Sequence, residues 1–254
     1  MLIDTHSHIY STDFINDLDE VIQRAYSNDV RKIILPNIDS SSVKNLLNLV
    51  DTYPHICIPL MGLHPTSINH DYQEELQVVE YWLKKRKFYG IGEIGIDLYW
   101  DKSFLEEQTH AFRFQLDLAC QYQLPVVIHV RDSFDEVYQV MKEEKYDSLK
   151  GVFHSFSGTI EQAKLVIDLG FKIGVGGVVT FKKSGLDQII KQIDPSHLVL
   201  ETDSPYLTPV PFRGKRNESS YLVYIAQKIA DLHNMTIGDI AKVTTENARK
   251  LFGI

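Results

Sequence analysis

Short apolar segments alternate with amphipathic ones along the 254 residues, and this alternation constrains the fold more than any other feature. Most of the apolar segments are rich in Ile and Val and nearly continuous in apolarity, which is typical of strands buried on both faces of a parallel sheet. The predicted strands are 2–8, 32–38, 56–63, 88–97, 125–131, 151–157, 172–178 and 198–203. Between them apolar residues recur at helical spacing, as at Val43, Leu46, Leu47 and Val50.

Eight strand–helix units in about 250 residues match the size of one (β/α)8 TIM barrel, an α/β fold. We predict this barrel as a single domain over residues 1–254. An open doubly wound sheet is the alternative fold, although no G-x-G-x-x-G motif follows the first strand. Thr236 and Asp239 predict the start of a final helix that runs to Gly253. One long irregular segment, 204–218, follows the last strand, and loops of this length are often functional.

Composition and charge exclude several classes of protein. No apolar run approaches the ~18 residues of a membrane span, and the N-terminus has no cationic region of the kind that begins a signal peptide. The two cysteines, Cys57 and Cys120, are predicted to be reduced core residues of a cytoplasmic protein rather than a disulfide framework. The formal net charge of −8 argues against a non-specific coating of nucleic acid. We expect a cytoplasmic protein that makes no membrane contact, and a monomer.

Imidazole and carboxylate side chains stand near the C-terminal ends of the predicted strands, each in an otherwise apolar segment. They are His6, His8, Glu93, His129, His154 and Asp203. One buried histidine is usually a hydrogen-bonded core residue, but a barrel brings the C-terminal ends of its strands to one face, where barrel enzymes keep their active sites. Asp4 and Glu201 lie two residues earlier on two of these strands. They are predicted to support the ligands or to form buried ion pairs, and not to bind metal themselves.

The chemistry of these six side chains indicates a metal site. Nitrogen and oxygen ligands without a thiolate suit Zn, Mn, Mg, Fe or Ni. Six such groups exceed the needs of one tetrahedral ion. They favour two ions about 3.5–4 Å apart that share a carboxylate.

The same residues belong to seven short motifs. The motifs are DTHSH at 4–8, GLHP at 62–65, GEIGID at 92–97, LPVVIHVR at 124–131, HSFSG at 154–158, ETDSPYL at 201–207 and RGKRNE at 213–218. Their order and spacing, from residue 2 to residue 252, resemble the TatD-related metal-dependent deoxyribonucleases, a branch of the amidohydrolase-like barrels. The resemblance implies that Glu93 bridges two ions. It further implies one site completed by His6, His8 and Asp203, and another completed by His129 and His154.

Two positions depart from the family pattern. Thr66 stands where the family often has a second histidine, and Ser219 stands where a proline usually follows the last motif. The first departure bears on a substrate contact, and the second on the start of the following helix.

The resemblance implies a metal-dependent hydrolase that cleaves phosphodiester bonds of DNA, as a 3′-to-5′ exodeoxyribonuclease acting preferably on single-stranded ends. Two divalent ions, Mg or Mn in function with Zn or Ni as alternatives, would activate a water and neutralise phosphate charge. We predict that Asp203 accepts the proton of this water, with a ligand-only role as the alternative, and that Glu93 and His64 are also catalytic. His64 would hold a phosphate or protonate the leaving oxygen, or else only brace the turn at Pro65.

Other side chains near the same face are candidates for contacts with a phosphate or a base. The predicted substrate contacts are Arg131, Arg213, Lys215, Arg216 and Tyr206. A guanidinium fork suits phosphate, although Arg131 could instead pair with Asp97 or Asp132. The three cations of residues 213–216 could attract phosphate or simply be solvated. Tyr206 and Trp100 could stack on a base or pack within their own loops.

Two other functions remain open from the sequence. The same metal centre could hydrolyse another bond, such as the ester of aminoacyl-tRNA or a cyclic amide, although the basic segment 213–216 favours a phosphate-bearing substrate. A non-catalytic metal-binding scaffold is the other alternative, against which the full ligand set argues. The charge of −8 favours local binding of a few nucleotides over extended tracking along a nucleic-acid backbone.

Overall fold

A computed structural model describes all 254 residues and places eight parallel strands inside a layer of helices. The strands are β1 (Leu2–Asp4), β2 (Val30–Leu35), β3 (Cys57–Pro59), β4 (Ile91–Asp97), β5 (Val126–Arg131), β6 (Gly151–Phe153), β7 (Lys172–Val175) and β8 (Leu198–Leu200). The helices are α1 (Leu18–Ser27), α2 (Ser40–Thr52), α3 (Tyr72–Lys85), α4 (Leu105–Tyr122), α5 (Phe134–Met141), α6 (Ile160–Asp168), α7 (Leu186–Ile190), α8 (Leu222–His233) and α9 (Ile237–Phe252). One helix follows each strand, and α9 is additional.

Isolated bridges join two hydrogen-bonded groups of strands into a barrel. β1 to β3 pair in chain order, and so do β4 to β8. Met61 bridges to Ile91 between β3 and β4, and Ser7 bridges to Ser204 between the segments that follow β1 and β8. The C-terminal ends of all eight strands therefore surround one rim, and the predicted (β/α)8 fold is confirmed.

Several strands end earlier than the sequence pattern predicted. β1 ends at Asp4 rather than at residue 8, β6 at Phe153 rather than at residue 157, and β8 at Leu200 rather than at residue 203. Beyond these points the backbone leaves the regular ladder but keeps hydrogen bonds across the barrel; the amide of Asp203, for example, donates to the carbonyl of His6 at 2.9 Å. Apolar periodicity does not distinguish a ladder residue from an extended residue just beyond the ladder, so the predicted ends were wrong.

Apolar side chains pack in two layers, one between the strands and the helices and one inside the barrel. Sixty buried residues form the outer layer. The inner layer consists of Ile3, Ile34, Ile58, Leu60, Val127, Val152, Val199, Ala248 and Phe252. Val127 and Val152 lie two residues before His129 and His154, and alternate residues of a strand share a face. The inner layer is therefore an apolar floor beneath the polar rim.

The final helix begins and ends where the sequence predicts. The Thr236 hydroxyl accepts a hydrogen bond from the amide of Asp239 at 3.1 Å, and Gly253 ends the helix at a φ of +65°. Asn247 on the same helix donates to the carbonyl of Leu198 at 2.8 Å, where β8 begins. This contact seals the end of the barrel opposite the polar rim. None of the helices combines the length and apolar character that crossing a bilayer requires.

Candidate metal centre

The structure brings the six predicted metal ligands together at the carboxyl rim of the barrel. Glu93 lies within β4 and His129 within β5, whereas the other four lie just beyond the ends of β1, β6 and β8. His6, His8, Glu93 and His154 are buried. Buried groups of this polarity cost free energy unless they have partners, so their partners decide what the site can hold.

Glu93 stands at the centre of the cluster, and its two carboxylate oxygens face different imidazoles. Its Oε2 lies 3.0 Å from Nε2 of His6 and 3.6 Å from Nε2 of His8. Its Oε1 lies 2.8 Å from Nδ1 of His129 and 3.7 Å from Nε2 of His154. One carboxylate thus serves two pairs of imidazoles, which is the arrangement that a ligand shared between two ions needs.

Asp203 lies on the solvent side of the same cluster. Its Oδ1 is 3.8 Å from Nε2 of His6, 3.7 Å from Nε2 of His8 and 3.8 Å from Nε2 of His154. The Asp203 side chain is 14% exposed, compared with 3% for Glu93. Asp203 is therefore the carboxylate of this centre that water can reach.

The possible donor atoms fall into three compact groups, in each of which all atoms lie within 4.8 Å of one another. The groups are His6, His8 and Asp203; His6, Glu93 and His154; and His64, Glu93 and His129. The first agrees with the site that the family resemblance implies. The other two share Glu93, but they place His154 with His6, whose ring stacks on it at a centroid distance of 3.4 Å.

A tyrosine orients His8 toward the centre. The hydroxyl of Tyr10 donates to the carbonyl of Pro36 at 2.6 Å and lies 2.8 Å from Nδ1 of His8. Because the hydroxyl hydrogen is used on Pro36, Nδ1 of His8 is the donor to the hydroxyl and Nε2 keeps its lone pair. This role of Tyr10, which lies two residues after His8, was not predicted from the sequence.

Carboxylates orient His154 and His129 in the same way. Nδ1 of His154 lies 3.1 Å from Oε1 of Glu201, and Nε2 of His129 lies 2.8 Å from Oδ2 of Asp97. In both rings one nitrogen faces a carboxylate and the other faces the centre, as in protein histidines that ligate metals. Glu201 has the supporting position expected of it, whereas the part played by Asp97 was not foreseen.

Asp4 joins two of the segments that carry candidate ligands. Its fully buried carboxylate accepts hydrogen bonds from the amide of Thr202 at 2.9 Å and from the Thr202 hydroxyl at 2.6 Å. It also accepts from the amide of His6 at 3.4 Å. Asp4 therefore fixes the segment after β1 against the segment after β8, where Asp203 lies.

Burial and mutual contact set the charges of the centre. Burial raises the pKa of Glu93, but the surrounding imidazoles, His64 and His6 foremost, outweigh this effect and hold the pKa well below its ordinary value. Burial lowers the pKa of His8 to about 4 and that of His6 well below its usual range. An ionised carboxylate and neutral imidazoles are the protonation states that a divalent cation requires.

The remaining groups show an excess of negative charge. Burial raises the pKa of Asp203 to about 7, an effect that His154 opposes and Glu93 reinforces. Burial lowers the pKa of His154, but Glu201, Glu93 and Asp203 together raise it to about 10. The negative charge of these carboxylates thus keeps a proton on His154 in the absence of another cation. The same negative charge would stabilise bound divalent cations, so the donor set fits divalent metal ions.

His64 both braces a turn and faces the centre. Its Nδ1 accepts a hydrogen bond from the amide of Thr66 at 3.1 Å and lies 2.7 Å from the Thr66 hydroxyl. Its Nε2 lies 3.3 Å from Oε1 of Glu93. Burial lowers the pKa of His64, and a neutral ring whose Nδ1 accepts carries its proton on Nε2. His64 is therefore placed as a hydrogen-bond donor toward the centre.

The predicted substrate contacts lie on the rim in different environments. The guanidinium of Arg131 pairs with neither Asp97 nor Asp132 and stacks 3.8 Å from the centroid of the Tyr99 ring. Tyr206 is 60% exposed, and its ring centroid lies 6.5 Å from that of His8. Arg131 and Tyr206 thus remain accessible to a ligand, and their contact with substrate stays a prediction.

The basic segment 213–216 is partly engaged within the protein. Arg216 forms a fork on Asp17, at 2.8 Å and 2.6 Å, whereas Arg213 lies 3.7 Å from the centroid of the Phe181 ring. Lys215 is exposed and forms no ion pair. Arg213 and Lys215 therefore retain more freedom to meet phosphate than Arg216 does.

The last two residues of the RGKRNE motif, Asn217 and Glu218, anchor the 204–218 loop, a role that was not predicted from the sequence. Nδ2 of Asn217 donates to the carbonyl of Thr202 at 2.7 Å and to that of Tyr206 at 2.6 Å. Glu218 accepts a forked contact from Arg24, with a shortest distance of 2.7 Å. These bonds hold the end of the 204–218 loop against the backbone on both sides of Asp203 and against α1.

Comparison with known proteins identifies the family to which the chain belongs. The model of the TatD-related DNase family matches residues 3–253. The chain belongs to this family. It is 39% identical over 255 residues to the Bacillus subtilis protein YabD, named an uncharacterised metal-dependent hydrolase, with full coverage of both chains. It is 32% identical to YjjV of Escherichia coli, which carries the same description, over 99% of this chain and 98% of the relative.

Solved structures of TatD proteins share the fold. The crystal structure of YjjV, a TatD homologue from Escherichia coli, superposes with a TM-score of 0.93 at 31% identity, over 100% of this chain and 98% of that one. A TatD-family hydrolase from Entamoeba histolytica gives a TM-score of 0.88 at 26% identity, over 99% and 97% of the two chains. The chain therefore has the fold of these TatD proteins over nearly its whole length.

Proposed function

We propose that this protein is a two-metal deoxyribonuclease that hydrolyses phosphodiester bonds at single-stranded DNA ends. The observation that carries the proposal is the position of Glu93, whose two oxygens lie 3.0 Å from Nε2 of His6 and 2.8 Å from Nδ1 of His129. Membership in the TatD-related DNase family supports the reaction class, as do relatives named metal-dependent hydrolases. All six proposed ligands come from one chain, which supports a monomeric enzyme.

Two ions bound at this centre would divide the proposed ligands between them and share Glu93. His6, His8 and Asp203 would hold one ion, and His129 and His154 the other. Mg²⁺ or Mn²⁺ bound there would lower the pKa of water and neutralise phosphate charge. The buried, ionised Glu93 and the neutral imidazoles of His6 and His8 support this assignment.

The protein's own side chains then act on the substrate in separate roles. Asp203, the accessible carboxylate, accepts the proton of the attacking water. The buried Glu93 would serve only as the shared ligand of the two ions. His64 donates a hydrogen bond from Nε2 to the leaving oxygen, because the amide of Thr66 donates to its Nδ1. The leaving oxygen takes its proton from solvent, since the neutral ring of His64 stabilises it without transferring one. The water attacks phosphorus as the bond to the leaving oxygen breaks.

The charge distribution supports local binding of a strand end. The chain carries a net charge of −8, and few cations of the rim are available to phosphate. Arg131, Arg213 and Lys215 contact the first nucleotides in this proposal, whereas Arg216 is held by Asp17. Sparse cations favour contacts with a few nucleotides over tracking along the nucleic-acid backbone. We propose cleavage in the 3′-to-5′ direction, as the family resemblance implies.

A metal-titrated assay on single strands labelled at the 5′ or the 3′ end tests the proposal. We expect cleavage with Mg²⁺ or Mn²⁺, stepwise shortening of the 5′-labelled strand, and loss of activity in Asp203→Asn. Absence of DNA cleavage with either metal would refute the proposed function. Parallel reactions with RNA and with aminoacyl-tRNA test hydrolysis of another substrate by the same centre.

A further inference from the structure

Three side chains form an exposed platform on the rim beside His129. The platform consists of Tyr99 and Trp100, which follow β4, and Arg131, which ends β5. Trp100 is 72% exposed and Tyr99 is 53% exposed. Their rings meet edge to face, with centroids 4.9 Å apart. The guanidinium of Arg131 lies 3.8 Å from the centroid of Tyr99 and 5.4 Å from that of Trp100.

The platform leaves both its aromatic surface and its charge available to a ligand. An aromatic pair that served only to pack its loop would bury its rings, but Trp100 keeps most of its surface in solvent. No carboxylate lies within 4.0 Å of the Arg131 guanidinium, so its charge is not neutralised by an ion pair. A planar aromatic surface beside an unpaired cation suits a planar, anionic ligand such as a nucleotide.

Hydrogen bonds fix the platform to the metal centre. Oδ1 of Asp97 accepts from the amide of Tyr99 at 3.0 Å, while Oδ2 of the same carboxylate lies 2.8 Å from Nε2 of His129. The amide of Leu98 donates to the carbonyl of Arg131 at 2.9 Å. The side chain of Gln108 bonds the backbone of Asp97 on both sides, at 2.8 Å and 3.1 Å. One carboxylate therefore holds both a candidate metal ligand and the turn that carries the aromatic rings.

We propose that this platform stacks the unpaired base next to the scissile bond of a DNA strand. The base lies on the exposed face of Trp100, and Arg131, held by Tyr99, faces the adjoining phosphate. The inference rests on the proposed deoxyribonuclease function and adds to it a device that selects unpaired ends. Stacking on an aromatic ring tolerates any base, whereas a paired base must first leave its own stack before it can reach the ring.

Replacement of Trp100 combined with removal of the base tests the platform. We expect Trp100→Ala to lower kcat/KM on a single-stranded oligonucleotide by about 5- to 150-fold, the range for loss of one base–aromatic stack. On an oligonucleotide whose terminal nucleotides lack their bases, the wild type and Trp100→Ala should be equal. Trp100→Phe should restore most of the activity on the intact strand, because a ring is again present.

Tyr81→Ala is the matched control. Tyr81 is also an exposed aromatic residue, 53% exposed with Lys85 at 5.6 Å from its ring, but it lies on α3. Its replacement should leave kcat/KM unchanged on both the intact and the base-free strand. An equal loss for Trp100→Ala on intact and base-free strands, or no loss on either, would overturn the platform.

A binding measurement separates failure of the platform from failure of the proposed function. Trp82 and Trp100 are the two tryptophans, so Trp82→Phe leaves Trp100 as the only indole fluorophore. We expect an oligodeoxythymidine to quench its fluorescence and a base-free strand of equal length not to. If the wild type cleaves no DNA, base-dependent quenching still supports the platform. Absence of quenching would refute it whatever the activity.

Discussion

Asn217 anchors the 204–218 loop, and its replacement tests how this loop positions the metal centre. The buried side chain donates two hydrogen bonds, to the carbonyls of Thr202 at 2.7 Å and Tyr206 at 2.6 Å, and accepts one from the amide of Glu218 at 2.9 Å. Asn217→Ala removes all three. At a net contribution of roughly 1 kcal/mol for each bond, we predict a loss of about 3 kcal/mol in the free energy of unfolding.

The same replacement should weaken metal binding. Thr202 and Tyr206 lie on either side of Asp203, so loss of both anchors leaves this carboxylate less well fixed toward His6 and His8. Removal of a group that orients a metal ligand typically lowers metal affinity about 10- to 100-fold. We expect a decrease in this range for Asn217→Ala.

Urea unfolding in the presence of a chelator measures the stability, and a calorimetric Mn²⁺ titration measures the affinity. Asn45→Ala is the control, because Asn45 is exposed on α2 and its side chain forms no hydrogen bond. It should change stability by less than about 0.5 kcal/mol. If Asn217→Ala unfolded at the urea concentration of the wild type and bound Mn²⁺ equally well, the role assigned to this loop would be wrong.

Three further replacements probe the support of the centre and of the loop. Tyr10→Phe keeps the ring but removes the hydroxyl that accepts from Nδ1 of His8, and should lower Mn²⁺ affinity about 10-fold in calorimetry. Glu218→Gln replaces the charged partner of Arg24 and should lower unfolding free energy by about 1–2 kcal/mol in urea. Hydrogen bonds with Arg216 and Arg24 lower the pKa of Asp17 to about 2. The Asp17 contribution, below ~1 kcal/mol for so exposed a pair, is present above about pH 4 and lost toward pH 2, a dependence that Asp17→Asn should abolish.

The fold was accessible from the sequence because its signal is local. Most of the predicted strands are rich in Ile and Val, and a barrel of eight strands brings their C-terminal ends together regardless of detail. His129, the fourth of six residues of β5, could thus be placed near the rim from its position alone, whereas Glu93 is only the third of seven residues of β4. The end of β1 at Asp4 could not be predicted, because the ladder stops where cross-barrel hydrogen bonds change, not where apolarity stops.

The support of the centre was less accessible because it depends on contacts between distant segments. Arg216 lies next to Arg213 and Lys215 in the sequence, yet its partner Asp17 is 199 residues away. The bond between Asp97 and His129 likewise joins two strands 32 residues apart. Tyr10 is the exception, since it is only two residues from His8 in the sequence.

Glu93 as the shared ligand of two ions is the central claim, and Mn²⁺ electron paramagnetic resonance tests it most directly. The wild type loaded with Mn²⁺ should contain two ions per chain and give the spectrum of an exchange-coupled pair. Glu93→Gln, with its fold checked by circular dichroism, should lose the coupled spectrum, because its neutral amide cannot replace the carboxylate that faces both sets of imidazoles. One ion per wild-type chain, or a coupled spectrum that survives in Glu93→Gln, would contradict the account.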